Sequence, residues 1–276
     1  ALEQAAEAAN PSEDTVFSKG SGTKADPYLL STEVQLRALA RSVNSGTDYA
    51  GKYIELTGNI TLTDETWVPI GTQEEPASMT NAGLFGALSV GAEIHDLGVT
   101  DASIYNACDE EDMMSRPVVG VLASYVNGGK GIQQGSTVII DGCWATGSVV
   151  NENTVTDRYA YVGGLVGTAG YGLLIANSWT DVDIHAAGRG GANYAGGIIG
   201  MDSNDSMTAN CASFGDVTLD LGGQKQFPYW GAGGIVGANS SGIFNCYAAG
   251  GTALSEDLPE EDYPIGIGAI SGGFTA

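Results

Sequence analysis

Short apolar segments bounded by glycine recur along this chain at long, fairly regular intervals. The pattern is Gly-apolar-apolar-Gly, and its four full copies carry the pairs Gly83 and Gly86, Gly164 and Gly167, Gly197 and Gly200, and Gly234 and Gly237. Two degenerate copies are predicted at 120–123 and 268–271. Consecutive copies end 33 to 44 residues apart, and a period in this range is typical of a solenoid or another stacked array.

A second pattern follows several of these copies. Asn or Gly precedes a Cys, and a Gly comes four residues after it, in 142–147, 210–215 and 245–250, with a looser match at 175–180. A β-branched run that alternates polar and apolar residues comes next, as at 181–184, and such alternation is expected of a half-buried strand. We therefore predict about three short strands in each repeat, separated by Gly or Asn turns.

Stacking these repeats would bury one continuous apolar core, because no single repeat can cover its own apolar side. Since no helical pattern lies between the strands, we predict an all-β fold, a right-handed parallel β-helix (solenoid) with a short N-terminal capping α-helix. Cys143, Cys211 and Cys246 are expected to point inward as a column of small side chains. A disulfide between neighbouring rungs is the alternative, although in-register parallel neighbours fit its geometry poorly.

The N-terminal part of the chain, before the first repeat, follows a different pattern. A helix is predicted at about 32–43, with capping-box spacing between Thr32 and Gln35 and with Gly46 after its end. We expect this helix to cap the open end of the solenoid, where strand edges would otherwise stay unpaired. The predicted organisation is a flexible segment at 1–16, the cap with the first strands at 17–80, and repeats at 81–276 that continue in, or are capped by, a longer parent protein.

Gly-Leu-x-Gly repeats of this length resemble the GLUG motif, which is named from bacterial IgA1 proteases and occurs in surface proteins of gut bacteria. The leader strengthens the resemblance through Asp-Pro-Tyr-Leu-Leu-Ser at 26–31 and Trp-Val-Pro-Ile-Gly at 67–71. The Phe-x-Gly-x-Phe-Asp-Gly segment that the family's pattern places after the latter is absent from this sequence. The resemblance covers 17–271 and implies a β-helical stalk or adhesin module, either secreted or at the bacterial cell surface.

Charge narrows the range of partners. The formal net charge is −23, from 33 acidic and 10 basic residues, so the basic footprint that nucleic-acid binding requires is missing. No apolar run approaches the ~20 residues of a membrane-spanning helix, and membrane insertion is not expected. Acidic clusters at 109–112, 256–257 and 260–262 are interpreted as solvated loops between repeats. Ca²⁺ held by such loops is the alternative, and no other cofactor is expected.

Catalytic patterns are sparse in this sequence. A nucleophilic triad needs a histidine base, and the two histidines, His95 and His185, fall where outward-facing strand residues are expected. No His-Glu-x-x-His motif occurs, so the zinc-binding signature of a metalloprotease is missing. The Gly-rich segment 231–237 is not followed by the helix that a dinucleotide loop needs. We therefore expect no enzymatic activity, while a glycan-active enzyme stays open because two carboxylates suffice for glycoside hydrolysis.

Aromatic residues supply the clearest candidate binding site. Trp144 and Tyr247 each follow a cysteine of the second pattern, so both should point outward where the cysteine points inward. Trp179 and Phe214 align one turn of the pattern further on. Exposed rings on adjoining rungs could stack on sugar rings, because each presents a flat apolar face. The alternative is that a long loop such as 221–230 folds over these rings and buries them.

The leading hypothesis is a non-enzymatic extracellular module of a bacterial surface protein, which serves in adhesion, in display or as a spacer. Its partner would be a host or environmental glycan or protein, and a monomer is expected. One alternative is a carbohydrate-binding or polysaccharide-degrading β-helix that uses Trp144, Trp179 and Tyr247. Another alternative is an accessory region of a secreted peptidase.

Overall fold

The chain divides into two compact units, Ala1–Thr72 and Gln73–Ala276. The structure, a computed structural model, describes residues 16–63, 66–71, 79–108, 116–133, 135–153, 159–188, 192–202, 205–220, 229–239, 241–254 and 265–272. The flexible segment predicted at 1–16 lies outside these residues except for its last position. The predicted role of the N-terminal helix as a cap of the solenoid stays a prediction.

The first unit contains a parallel strand pair and a helix. Strand β1 (Tyr28–Leu30) is followed by α1 (Glu33–Asn44) and β2 (Ile54–Leu56), and β1 pairs with β2. Thr32 caps the helix, since its hydroxyl accepts a hydrogen bond from the Gln35 amide at 3.2 Å. The helix predicted at 32–43 is confirmed, one residue later at each end, because the cap residue itself lies outside the helical turns.

The second unit winds through five successive coils, each built from four or five strands. Coil 1 contains β3 (Met79–Ala82), β4 (Phe85–Ser89), β5 (Glu93–His95) and β6 (Gly98–Cys108). Coil 2 contains β7 (Arg116–Gly120), β8 (Ala123–Asn127), β9 (Val138–Asp141) and β10 (Trp144–Asn153). Coil 3 contains β11 (Tyr159–Gly163), β12 (Val166–Ala169), β13 (Leu173–Ala176) and β14 (Trp179–Gly188).

In the last coils the fourth strand is interrupted. Coil 4 contains β15 (Ala192–Gly196), β16 (Ile199–Asp202), β17 (Met207–Ala209), β18 (Ala212–Ser213) and β19 (Val217–Asp220). Coil 5 contains β20 (Tyr229–Gly233), β21 (Val236–Asn239), β22 (Gly242–Phe244), β23 (Tyr247–Ala248) and β24 (Thr252–Leu254). Strand β25 (Ile265–Gly268) then pairs with β20.

Equivalent strands of successive coils pair in parallel and form four sheets, numbered by their order within a coil. Sheet 1 contains β3, β7, β11, β15, β20 and β25, and sheet 2 contains β4, β8, β12, β16 and β21. Sheet 3 contains β5, β9, β13, β17 and β22. Sheet 4 contains β6, β10, β14, β18, β19, β23 and β24. The predicted parallel β-helix is confirmed.

The number of strands in a repeat was predicted wrongly, since each coil contributes to four sheets instead of three. The segment before each Gly-Leu-x-Gly copy, such as Tyr159–Gly163, is itself a strand of sheet 1. In coils 2 and 3 the Cys pattern and the β-branched run that follows it form one continuous strand of sheet 4, as in Trp144–Asn153. Gly147 therefore does not end the strand in coil 2, and coil 3 has Val182 at the equivalent place.

The two degenerate copies were also placed one residue too early. Ala123 pairs with both Phe85 and Val166, and Ser271 forms a bridge to Val236. The equivalent segments are therefore 121–124 and 269–272. Gly120 instead ends a strand of sheet 1 and lies in register with Gly163, so the glycine on which the prediction was based belongs to the preceding strand.

The Gly-Leu-x-Gly pattern marks the corner between sheets 1 and 2. The second residue of the pattern is a fully buried Leu or Ile in four coils, namely Leu122, Leu165, Ile198 and Ile235. A methyl group at Gly200 would lie 2.5 Å from the Val162 backbone nitrogen and 2.6 Å from the Gly167 carbonyl oxygen. A methyl group at Gly197 would collide with the Gly234 carbonyl and the Ser213 hydroxyl. In the coils that carry the full pattern, glycine therefore permits the close approach of backbone segments. Coil 2 has Val121 and Ser124 at the two equivalent places, and both are buried.

One apolar core runs through the coils. Inward-facing residues come from all four sheets, and fully buried examples are Val162 and Ala195 in sheet 1, Val166 and Ile199 in sheet 2, Ile140 and Ile175 in sheet 3, and Val149 and Val182 in sheet 4. These residues belong to the same contiguous cluster. Their burial fixes the register, because a shift by one residue would turn each apolar side chain outward.

We expect Gly200→Ala to lower the free energy of unfolding by roughly 1–3 kcal/mol, because the added methyl group forces two backbone segments apart. Gly58→Ala is the control, since nothing lies within 4 Å of the methyl group that it adds. Urea unfolding followed by circular dichroism would measure both variants. Equal midpoints for Gly200→Ala and the unsubstituted chain would contradict the close-approach explanation.

Candidate functional site

A row of aromatic side chains follows the outer face of sheet 4. Trp144 lies in register with Trp179, Trp179 with Ala212, and Ala212 with Tyr247. Trp179 therefore occupies the same place in its coil as Trp144, whereas Phe214 lies two residues beyond the equivalent Ala212. The indole of Trp144 lies over Gly98 of coil 1, where a methyl group would collide with it, and this indole is half-buried.

The Phe214 ring lies close to the rings of Trp179 and Tyr247 in the neighbouring coils. Its ring centroid lies 6.3 Å from that of Trp179 and 6.4 Å from that of Tyr247, in edge-to-face arrangements. The exposed fractions are 38% for Trp179, 46% for Phe214 and 61% for Tyr247. We refer to these three residues as the aromatic row. Such pairs contribute roughly 0.5–1.5 kcal/mol beyond their burial.

The loop predicted to cover these rings is only partly within the described residues. Residues 221–228 lie outside them, and Trp230 belongs to strand β20 instead of a loop. Trp230 is 3% exposed and part of the apolar core. Its side chain therefore points inward from sheet 1.

A second row runs beside the first, at the corner between sheets 3 and 4. Asn177, Asn210 and Asn245, which we call the amide row, each adopt a left-handed backbone conformation, with φ of 50°, 55° and 49°. The Asn210 Nδ2 donates to Asn177 Oδ1 at 3.2 Å, and the Asn245 Nδ2 donates to Asn210 Oδ1 at 2.8 Å. Asn177 Nδ2 in turn donates to Asp141 Oδ1 at 2.7 Å. Each amide thus orients the next.

The sequence predicted turns at these asparagines but not their side-chain ladder. Asn tolerates the left-handed region better than most residues because its short polar side chain bonds locally. Coil 2 has Gly142 at the equivalent place, with φ of 66°. The ladder could have been predicted from the recurrence of Asn at the same place in the second pattern. In a parallel stack, such a recurrence places identical amides above one another.

A shallow, open depression of roughly 450 Å³ lies between the two rows. It is lined by Asn177, Ser178, Trp179, Asn210, Ala212 and Phe214. The small side chain of Ala212 leaves the floor open between the flanking rings. The depression therefore combines apolar ring surface on one side with amide donors and acceptors on the other.

Negative charge surrounds this depression. Asp181 and Asp183 are exposed on β14, and Asp216 is exposed before β19. Asp183 Oδ1 accepts from the Asp216 amide at 3.0 Å, and Asp216 Oδ1 accepts from the Gly251 amide at 2.6 Å, so two of these carboxylates are held in place. The described residues between 159 and 254 include neither Lys nor Arg.

The cysteine column lies behind the aromatic row, inside the core. Cys143 and Cys211 are buried, Cys246 is half-buried, and all three are free thiols. Burial raises the pKa of the Cys211 thiol to about 12 and also raises the pKa of Cys143. Because the thiolate is the reactive form, Cys143 and Cys211 are poor nucleophiles at neutral pH.

The two histidines lie on different strands, β5 and β14. His95 is exposed on β5, with its Nε2 3.2 Å from Glu93 Oε2 and its Nδ1 3.9 Å from Asp141 Oδ2. His185 is half-buried on β14. Within the described part of the chain, no group of three or more His, Cys, Asp or Glu could hold a metal ion. The acidic clusters at 109–112, 256–257 and 260–262 lie outside it, so the Ca²⁺ alternative stays a prediction.

One buried carboxylate was missed from the sequence. Asp202 ends β16 and lies in register with Ala169, a core residue of the coil before it. Asp202 is fully buried, and Ser241 Oγ donates to its Oδ1 at 3.2 Å. Loss of hydration raises the pKa of this carboxyl to about 6. A polar residue at the end of an apolar strand is expected to be exposed. Only the alignment of successive coils shows that Asp202 occupies the place of an apolar side chain.

No protein-family model matches this sequence, and no curated protein matches it. A similar solved structure is that of "a putative immunoglobulin A1 protease from Bacteroides ovatus", with 21% identity and a TM-score of 0.56 over 94% of this chain and 86% of the other. At this identity the likeness shows the shared fold. The finer resemblance to GLUG-motif proteins stays a prediction. Among the described residues, no helix has the length and apolar character needed to cross a membrane.

Asn210→Ala is expected to be less stable than Asn210→Gly by about 1 kcal/mol, because a left-handed conformation costs alanine but not glycine. Both variants lose the same amide, so their difference isolates the backbone strain. Chemical unfolding under identical conditions would measure it. An alanine variant as stable as the glycine variant would mean that the corner relaxes to another conformation.

The stability of the chain should depend on the charge of Asp202. Its folded pKa, about 6, lies above the ordinary value near 3.9, so the folded state binds the extra proton between these values. The contribution of Asp202 to the free energy of unfolding therefore falls as pH rises from about 4 to 6, and at neutral pH the loss reaches roughly 3 kcal/mol. Below about pH 3.9 the carboxyl is protonated in both states, so a further fall in pH changes nothing through this group.

Asp202→Asn is expected to remove that part of the pH dependence and to be more stable than the unsubstituted chain at pH 7.5. Asp205→Asn is the control, since Asp205 is exposed and its φ of 66° suits asparagine. Unfolding free energies at pH 4.5 and 7.5 would measure the effect. Parallel pH profiles for Asp202→Asn and the unsubstituted chain would show that Asp202 is not the titrating group.

Proposed function

We propose that this chain is a non-enzymatic extracellular module of a bacterial surface protein and that it serves in adhesion or display. The observation that carries the proposal is the pair of exposed rows on sheet 4, where aromatic and amide side chains repeat on consecutive coils. A surface of this kind offers many similar contacts in a line. The apolar core beneath it keeps the contacts at fixed positions, which reduces the entropy lost on binding.

Location at the cell surface or in the medium is part of the proposal. The strongly acidic composition supports it, because a net charge of −23 keeps a protein soluble and disfavours adsorption to anionic surfaces. The shared fold with the Bacteroides ovatus protein supports a bacterial source for the module. The repeated coils are also suited to holding a binding surface away from an attachment point, since a stack grows in one dimension.

An accessory region of a secreted peptidase is a second candidate, and the name of the Bacteroides ovatus protein favours it. Incubating the chain with human immunoglobulin A1, followed by mass spectrometry of the products, would test whether the chain itself has peptidase activity. We expect no cleavage by the chain alone. Cleavage that persists in independently purified preparations would overturn the non-enzymatic part of the proposal.

Adhesion should be measurable with the chain coupled to fluorescent beads. We expect such beads to be retained on immobilised intestinal mucin, from which sialic acid and sulfate groups have been removed, several-fold more than beads coated with serum albumin, which is also an acidic protein. A flow chamber with a defined wash would measure retention. Equal retention of the two kinds of bead on mucin would count against adhesion as the function.

A further inference from the structure

We propose that the surface between the aromatic row and the amide row binds a neutral polysaccharide, which lies along the stack across coils 3 to 5. The proposal rests on the adhesive function above and names its ligand. Four observations carry it: exposed ring faces, amides with free hydrogen-bonding capacity, a negative surround and a regular spacing.

The aromatic row provides the apolar contacts. A pyranose ring has C–H groups on its faces and hydroxyl groups around its edge, so it can lie on an aromatic ring while its hydroxyls stay hydrated. Trp179 and Phe214 are 38% and 46% exposed, and both line the depression. Large rigid rings lose little conformational entropy when a ligand covers them, since each has two side-chain torsions.

The amide row provides matched polar contacts. An amide side chain has two N–H donors and an oxygen with two lone pairs. Asn210 uses one donor for Asn177 and one lone pair for Asn245, which leaves one donor and one lone pair for a ligand. A sugar hydroxyl both donates and accepts, so it can bond to both. The ladder holds the amides in place before binding, and pre-organisation of this kind increases affinity.

Charge selects against anionic polymers. Asp181, Asp183 and Asp216 are exposed on the strands that carry the aromatic row. The sequence from 159 to 254 contains six acidic residues and two basic ones, Arg189 and Lys225, so its net charge is negative. Two like charges 4 Å apart repel by about 1 kcal/mol even at the dielectric constant of water. Uronate-rich or sulfated chains would therefore be repelled, whereas neutral hexose chains would not.

The spacing favours a polymer over a compact ligand. Equivalent residues of successive coils lie about 4.8 Å apart, the distance between paired strands. Trp179 and Tyr247 are two coils apart by their register, so they contact points about 10 Å apart along the stack. A linear polysaccharide presents the same ring and the same hydroxyls at regular intervals, and it can contact each coil in the same way.

Affinity electrophoresis would test this inference with three neutral polysaccharides, namely guar galactomannan, barley β-glucan and soluble starch, and with polygalacturonate as the anionic polymer. We expect at least one neutral polymer to retard the chain and polygalacturonate to have no effect. Trp179→Ala and Phe214→Ala are each expected to weaken binding roughly tenfold, the equivalent of about 1.4 kcal/mol. Asn210→Gly should weaken it while keeping the corner conformation.

Tyr159→Ala is the matched control, because Tyr159 is 39% exposed on sheet 1, and it should bind like the unsubstituted chain. Circular dichroism and thermal unfolding would confirm that each variant is folded at the temperature of the binding assay. Failure of all three neutral polymers to retard the chain would overturn the inference. Undiminished binding by folded Trp179→Ala and Phe214→Ala would overturn it as well.

The same variants on mucin-coated surfaces separate this inference from the proposed function. Retention that is lost in Trp179→Ala, and lost after periodate oxidation of the mucin, supports both. Retention that is equal in all variants, or that is lost only after protease treatment of the surface, overturns the glycan assignment and leaves adhesion standing. Retardation by a neutral polymer without retention on any surface supports the assignment and overturns adhesion.

Discussion

The close approach of peptide groups at the corner between sheets 1 and 2 is the constraint on which this structure depends. Each coil turns sharply there while its backbone approaches both the adjoining sheet and the next coil. Where a Gly-Leu-x-Gly copy forms the corner, its two glycines leave room for this approach, and its second residue fills the core beneath. Bringing the coils into contact in this way lets each coil bury its apolar side against its neighbours.

Parallel, in-register stacking then gives every side-chain position a copy of itself above and below. At the corner between sheets 3 and 4 this produces the amide row, and on the outer face of sheet 4 it produces the aromatic row. Individually these contacts are modest, since an amide hydrogen bond contributes about 1 kcal/mol net. Their importance is geometric, because each side chain is held by an equivalent neighbour and the surface keeps its shape without a ligand.

The features that local chemistry or strict sterics determine could be predicted from the sequence. The helix was predictable because Thr32 caps it through a bond to a residue three positions away. The solenoid was predictable because four corners repeat glycine at the same two places, at an interval typical of stacked coils. Both kinds of signal are visible within a short segment, so neither needs knowledge of distant partners.

The remaining features depend on which residues meet across coils. The strand Tyr159–Gly163 has little alternation of polar and apolar residues, so only its pairing shows that it is a strand. The register of coil 4 on coil 3 is the same before and after the gap between β18 and β19, so Phe214 lies level with Asp181. Only the alignment of coils shows that its ring lies beside those of Trp179 and Tyr247. Asp202 ends an apolar segment, and only alignment with Ala169 places its carboxyl inside the core.

Because the strands of each described coil pair with those of the coils before and after it, duplication of one coil in the gene would leave the pairing of the others unchanged. Such an event would add one ring and one amide to the two rows and would lengthen the surface by about 4.8 Å. The strength of attachment to a repetitive ligand would then rise through the number of simultaneous contacts, with no change in any single one. Evolution could therefore change the avidity of the module through the number of its coils.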